Sequence, residues 1–540
     1  MISNADGFNG DVLDGVNKTY WDEGIKRNHP IVMEPEVLMS NYSYLSYNAM
    51  SWGYWTPGAR DLVAPYVAMY KAVTQGRHLH HITERWAQQH EDGIQQAFFN
   101  GAGFESWENV WGVWNGITER DAEGLRRTSA ILRQFGSLLQ GGDWTPHVVV
   151  SGEDDLVFTS QFRDTEGGDT LWLMVNRDKL SDVRVSLSLP CTTPRAIFVD
   201  VYHGFILDQT DNCDGLWSLK VDLEASGYGA VLMTEEVGDE ELMFFDLMAE
   251  MTENPLSSYN DDWVPLTQTL ETNLADDGMT VSGGLLEDLV FVEGGIFNFF
   301  VIGNCIEGDR LPTAVDVQFP WESHPQRSHQ HILEMSPLYS TKYPVTNADY
   351  KKFLDESGWR PEDDHNWLRH WNGTASVPEG VERQPVRWVS VKDAATFCQY
   401  YGMRLPTSWE WQWVAQGPSL HYFPWGDELD LSLLPTFSSE RSLPDPEDVD
   451  SHPGGASWCG AEDLVGNVYQ WTSVHTDLHT SRVVLRGGSH WRPEGSHWYQ
   501  PQPNLISPLY EHNTYLLMAD SLDRSGNIGF RCVAEAESKD

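Results

Sequence analysis

Two periodicities alternate through the first quarter of the chain. HPIVMEPE (29–36) is a short apolar run ending in carboxylates and predicts a buried strand. DLVAPYVAMYKAVTQG (61–76) carries apolar residues at helical spacing and ends at a glycine. IQQAFFNGAGF (94–104) reads as a strand entering a glycine turn, and ERDAEGLRRTSAILRQFGSLL (119–139) as an amphipathic helix. Strand, helix, strand, helix predicts a parallel α/β sheet, with polar groups gathered at the strand ends.

The pattern changes near residue 145. VVVSG, LVFTSQF, TLWLMVN, VRVSLSL, AIFVDVY, LWSLKVDL and YGAVLMT follow one another with turn residues between them, which predicts a seven-stranded antiparallel β-sandwich. Beyond about 236 the chain turns acidic and loses periodicity, apart from a helix predicted over DEELMFFDLMAEM. The last 250 residues mix short strands, two helices and tryptophan-rich loops. The fold class expected is multidomain: a partial (β/α) barrel over 1–142, a β-sandwich over 143–236, an acidic linker over 237–287, and a loop-rich α+β domain over 288–536.

The 540 residues suit several domains rather than one. A net charge of −45 repels a phosphate backbone, so nucleic acid is not an expected partner. No run reaches the ~20 apolar residues of a membrane helix. No secretory leader pattern is visible, and the compartment stays open. The six cysteines show no CxxC pair, so no structural zinc is expected from their spacing; Cys191 and Cys213 flank one short segment that a bridge would close.

FVEGGIF, YPVTNADYKKFL, QPVRWVSVKDAATFCQYYGMRLPTSWEWQWVA, FPWGDE, DLVGNVYQWTS, LRGGS and GFRC occur in one order over 288–536. That series resembles the sulfatase-modifying-factor, or formylglycine-generating-enzyme, family. The resemblance implies a variant of the C-type lectin fold. It also implies a disulfide between Cys398, on the helix of DAATFCQYYG, and Cys532 of GFRC, with two buried free thiols as the alternative. From the residues alone, Thr407 or Ser408 caps a helix whose early Glu410 complements the dipole. The helix of DAATFCQYYG buries Ala395, Phe397 and Cys398 and stops at Gly402.

The stretch RGGSHWRPEGSHWYQP (486–501) carries the main question of function. Relatives that oxidise a sulfatase cysteine hold copper through two thiolates shortly after GGS, and soft Cu(I) requires such sulfur. Here Arg492 and His497 stand at about those positions, and no cysteine lies between Cys459 and Cys532. Copper in that form is not expected. Relatives that make sulfoxides on histidine derivatives use a separate helical domain with an iron-binding histidine triad, which is not recognisable here. His490 and His497 are imidazole donors for an altered metal site. The other reading of His490, Trp491, Arg492, His497 and Trp498 is a ligand-stacking surface, with tryptophan faces for sugar rings and arginine for hydroxyls or sulfate. Trp388 and Trp471 read better as core. The resemblance also implies calcium near a GN-x-W-E-W motif: Asn467 is kept, and Gln470 replaces the glutamate, which weakens a hard-cation site.

ADGFNGDVLDG, HPIVMEPE, AMSWGYW and FFNGAGFESWENVWG are similar to the distal half of a glycoside-hydrolase barrel, and the sandwich is its usual companion. Asp11, Glu34 (or Glu36), Glu105 and Glu108 are the candidate carboxyls for glycoside cleavage, which needs a pair. His78, His80 and His81 fit no zinc spacing. About 140 residues supply four or five strands, against the roughly 250 of a closed barrel. An incomplete barrel, inactive alone and prone to self-association through its edges, is therefore expected. Four functions follow, the first three being a carbohydrate-associated protein whose last domain binds glycan or a sulfated saccharide without oxidising cysteine, a metal-dependent oxidoreductase with an altered histidine site, and a glycoside hydrolase if further strands complete the barrel. A structural protein with both chemistries lost is the fourth.

Overall fold

The computed structural model describes residues 6–536, apart from 11–16, 37–41, 56–62, 69–70, 73–78, 85–88, 107–108, 111–112, 115, 150–155, 166–167, 191–194, 209, 213–215, 266, 273–285, 287, 305–315, 373–375, 437, 439–442, 477–480 and 492–505. The chain divides into two compact units, 1–108 with 115–264, and 109–114 with 265–540.

The first unit opens with parallel strands in sequential order. Gly7–Gly10 pairs with Val32–Pro35, a bridge from Glu36 to Trp52 continues the sheet, and Met50–Trp55, Leu79–Glu84 and Gly103–Ser106 follow. That is the half-barrel the alternation predicts. IQQAFFNGAGF is not a strand: Glu91–Asn100 is an α-helix, buried nearly all round, closed by Gly101 at φ +56°. Ile94, Ala97 and Phe98 also fit helical spacing, and a short apolar run is ambiguous between the two periods. Val63–Ala68 is not helical, and Pro65 interrupts it. The helix Glu119–Gln134 is capped by Thr118, whose hydroxyl accepts from Asp121 N.

Six strands then form one antiparallel sheet, in the order Phe205–Ile206, Ile197–Asp200, Tyr228–Thr234, Thr170–Asn176, Val157–Arg163, Asp143–Thr145. A second sheet of Val183–Pro190, Leu216–Leu223 and Thr210–Asn212 faces it across a core of Trp172, Met174, Val185, Leu187, Phe198 and Leu219. The edge strand is Asp143–Thr145; Val148 and Val149, the described start of VVVSG, lie outside any strand. The helix of DEELMFFDLMAEM spans Asp239–Met251 and buries Phe244, Phe245 and Met248 in the other face's core. The segment read as a linker therefore begins as packed structure.

The second unit contains a larger sheet in the order Leu270–Glu271, Tyr469–Thr476, Arg482–Arg486, Glu511–Leu516, Gly295–Gly303, Ser328–Met335. Leu338–Thr341 is central in a three-stranded sheet with Leu289–Val292 and Val533–Glu535. Helices Asn347–Ser357, Val391–Tyr400 and Ser408–Gln416 each begin with a capping box, from Thr346, Ser390 and Thr407. The first of these was not read from YPVTNADYKKFL. Trp371, Trp411, Trp413 and Trp471 are fully buried, so these tryptophans are core. No helix among the described residues is long and apolar enough to cross a membrane.

Candidate functional site

Strand Arg482–Arg486 delivers the chain to Gly487 and Gly488, at φ +92° and +80°. A Cβ on Gly487 would lie 2.8 Å from the Leu464 carbonyl oxygen, so the turn demands glycine by space and by conformation. Ser489 Oγ accepts from Trp491 N at 3.1 Å and donates to Trp491 O at 2.8 Å. His490 is buried. Its Nδ1 lies 2.5 Å from Asn467 O and its Nε2 3.1 Å from Pro444 O, while burial holds its pKa below the usual imidazole value. Both ring nitrogens face carbonyl oxygens. His490 braces the loop through these two contacts. Trp491 is half-buried; Arg492, His497 and Trp498 lie outside the described residues.

The calcium candidates are engaged with the protein. Asn467, at φ +58°, donates through Nδ2 to Glu447 O and Asp463 Oδ2, both at 3.1 Å, and accepts from Glu447 N through Oδ1 at 3.2 Å. Gln470 Oε1 accepts from Trp411 Nε1 at 2.8 Å and Arg531 Nε at 2.7 Å, and Gln470 Nε2 donates to Asp463 O at 2.7 Å. A guanidinium at this amide disfavours a cation beside it. Burial pushes Asp463 up to about 7, against its bond from Asn467 and the Arg531 charge.

Three cysteines, Cys398, Cys459 and Cys532, lie among the described residues. Cys398 and Cys532 form a disulfide, joining the helix Val391–Tyr400 to the segment before Val533–Glu535. Cys459 is reduced, donates to Val414 O at 3.4 Å and lies 3.3 Å from Ser457 Oγ. The donors described after Gly488 are a hydroxyl and an imidazole turned inward, which do not fit thiolate-bound copper.

In the first unit, Glu34 lies on Val32–Pro35 with Oε1 3.4 Å from His81 Nδ1, and Glu105 lies on Gly103–Ser106 with two strands between them. A cavity of about 340 Å³, lined in part by His81, Phe104, Thr128 and Arg133, lies in the same unit. Asp11, Glu108 and His78 fall outside the described residues.

One cluster has no counterpart in the sequence reading. His329 is paired in register with Val301, and His512 with Gly303, on the two strands flanking Gly295–Gly303. Positions 301 and 303 share a face of that strand, so both imidazoles project to the same side. Asp316 joins them, and one ligand atom from each residue lies within 4.8 Å of the others. His512 Nε2 donates to Asp316 Oδ2 at 2.6 Å, and Arg482 Nη1 approaches Asp316 Oδ1 at 3.4 Å. Burial would raise the Asp316 pKa, but His512 and Arg482 outweigh it and bring it down to about 2; burial lowers His512 to about 4. His329 donates Nδ1–H to Glu322, at 2.9 and 3.1 Å from the two oxygens. Strand register brings the two histidines together, and Asp316 reaches them from a segment outside any strand, so their spacing gives no signal.

The second unit carries a sulfatase-modifying-factor domain. Residues 281–536 match the family described as the sulfatase-modifying factor enzyme 1-like domain. Relatives include a hercynine oxygenase of Mycolicibacterium thermoresistibile, 31% identical over 166 residues, covering 26% of this chain and 37% of that protein. A formylglycine-generating enzyme of Mycobacterium tuberculosis is 24% identical over 290 residues, covering 40% of this chain and 93% of that protein. The chain spans 37% and 49% of the two hercynine oxygenases it matches first. Among solved structures, CarF is similar at 17% identity and TM-score 0.32, covering 47% of this chain and all of that one. An α-amylase of H. orenii follows at 10% and 0.27, covering 40% and 57%. Those TM-scores are too low to carry a shared fold or activity.

Proposed function

We propose that the sulfatase-modifying-factor domain binds a saccharide, sulfated or neutral, at the loop following Gly488, and does not oxidise cysteine. The observation that carries this reading is the donor set: Ser489 and His490 stand where the loop begins, the ring of His490 is committed to two carbonyls, and the described thiols are bridged or bonded elsewhere. The Ser489 hydroxyl bonded to both backbone groups of Trp491 supports a rigid base for aromatic stacking on a sugar face.

The test is a pair of assays on the purified chain. A sulfatase peptide incubated with oxygen and copper yields no aldehyde, and a glycan array gives binding that Trp491→Ala abolishes. Aldehyde formation overturns the reading, and so does an array without any hit.

A second reading, a metal-dependent oxidoreductase, is favoured by relatives named hercynine oxygenase and formylglycine-generating enzyme and by the nitrogen and oxygen donors at Asp316, His329 and His512. Substrate-dependent oxygen uptake by the purified chain would place it first. Glycoside hydrolysis, with further strands completing the barrel of the first unit, is a third reading, supported by its parallel strands and the Glu34–His81 pair.

A further inference from the structure

We infer that Asp316, His329 and His512 form a site for one divalent transition-metal ion, of the zinc or ferrous class, within the core of the second unit. The ligand types are two imidazoles and one carboxylate, a set that suits zinc and non-haem iron and disfavours calcium and magnesium. The inference is independent of what the loop after Gly488 binds.

Three observations carry it. First, one ring nitrogen of His329 is engaged and the other is not. With Nδ1–H given to Glu322, Nε2 is left as a bare acceptor, and among the described residues it has no hydrogen-bond partner although His329 is fully buried. An unmatched buried acceptor is costly, and a metal ion is a group that satisfies a lone pair. The Glu322–His329 contact is the outer carboxylate that metal-bound histidines commonly have.

Second, the backbone keeps space open at the carboxylate. A Cβ on Gly303 would lie 1.8 Å from Asp316 Oδ2 and 3.1 Å from His512 Nε2. Gly303 has no left-handed φ to explain its choice, so the reason is room. The strand itself is held by Gly303 N donating to Arg327 O and Asn304 N donating to His512 O. Any side chain here would fill the space between the two groups that an ion must part.

Third, the three donors come from separate segments, and the two histidines are pinned by register on strands flanking a central one. Phe319 packs its ring 4.5 Å from that of His329 and 6.1 Å from that of His512, which keeps the pocket dry and strengthens charge interactions inside it. An ion replaces the Asp316–His512 hydrogen bond with two coordinate bonds once His512 adopts its other tautomer, its proton on Nδ1 and the Nε2 lone pair free, and Arg482 stays on Asp316 through its 2.6 Å bond to the backbone carbonyl.

The experiment uses the full chain, stripped with a chelator and titrated with Co²⁺, then with competing Zn²⁺. One equivalent per chain is expected, with visible d–d absorption that Zn²⁺ abolishes. Asp316→Asn and His329→Gln, near-isosteric changes, lose the band and weaken affinity at least ~100-fold; Glu322→Gln, acting only through His329, weakens it about 10–100-fold. Near-UV circular dichroism of the variants reports their folding separately. Wild-type protein that binds no Co²⁺ or Zn²⁺ overturns the inference whatever the variants do. Folded Asp316→Asn and His329→Gln that keep the wild-type band overturn it as well.

Discussion

Gln470 and Arg531 meet at the centre of the second unit: Arg531 Nε donates to Gln470 Oε1 at 2.7 Å, and both side chains are fully buried. Arg531 also donates to Thr341 O at 3.0 Å and Glu462 O at 2.6 Å, and burial brings its pKa down to about 10. The amide at position 470 gives what a carboxylate cannot, an N–H for Asp463 O. A glutamine in this place serves a hydrogen-bond circuit.

Gln470→Glu follows from that circuit. The new carboxylate pairs with Arg531, but Asp463 O loses its donor and faces negative charge. We expect a loss of about 1–3 kcal/mol in urea denaturation followed by tryptophan fluorescence. Added Ca²⁺ should leave the Tm of the variant where it was.

Asp463 sets a pH dependence. Its folded pKa, about 7, lies above the ordinary carboxylate value, so between pH ~4 and 7 the folded state holds a proton the unfolded state has released. Its contribution to stability is therefore complete at low pH and falls as pH rises through that window. Asp463→Asn, which keeps an acceptor for Asn467, should flatten this part of the Tm profile and stabilise the protein at pH 8, by at most about 4 kcal/mol.

His490→Ala separates a brace from a ligand. We expect unchanged metal content by elemental analysis and a loss of about 1–3 kcal/mol, because two buried carbonyls lose their imidazole neighbour. A drop in bound metal would return His490 to the ligand role.

Replacing both Cys398 and Cys532 by alanine removes a crosslink spanning a separation of 134 residues. A loop of that length predicts a loss of about 4–5 kcal/mol in the chain-entropy account, and measured effects run at about 2–5. Reductant should shift wild-type unfolding towards that of the variant and leave the variant unmoved.

Much of the architecture was legible because local chemistry announced it. Thr407 with Glu410 marks a helix start, and Glu410 goes on to a bidentate contact with Arg404 at 2.7 Å. The strands of the sandwich alternate with turn residues, and the disulfide follows from the family's motif order. Failures came where one pattern serves two structures. Ile94 to Phe99 is apolar enough for a buried strand, and tertiary burial on all sides made it a helix. His490 was read by residue type alone, and its contacts with the carbonyls of Pro444 and Asn467 are set by the tertiary fold. His329 and His512 meet through pairing register, with Asp316 brought to them by the tertiary fold, and no local window contains either relation.

The final strand of the second unit, Val533–Glu535, is not a peripheral addition. It pairs with Leu338–Thr341, bridges Arg404 through Val533, and follows directly on Arg531 and Cys532. During synthesis, the carbonyls of Thr341 and Glu462 and the sulfur of Cys398 wait for mates made almost two hundred, about seventy and 134 residues later, respectively. A nonsense codon or a protease acting just upstream of Arg531 would thus open the interior rather than trim a tail, and quality control would meet the defect as an unfinished core.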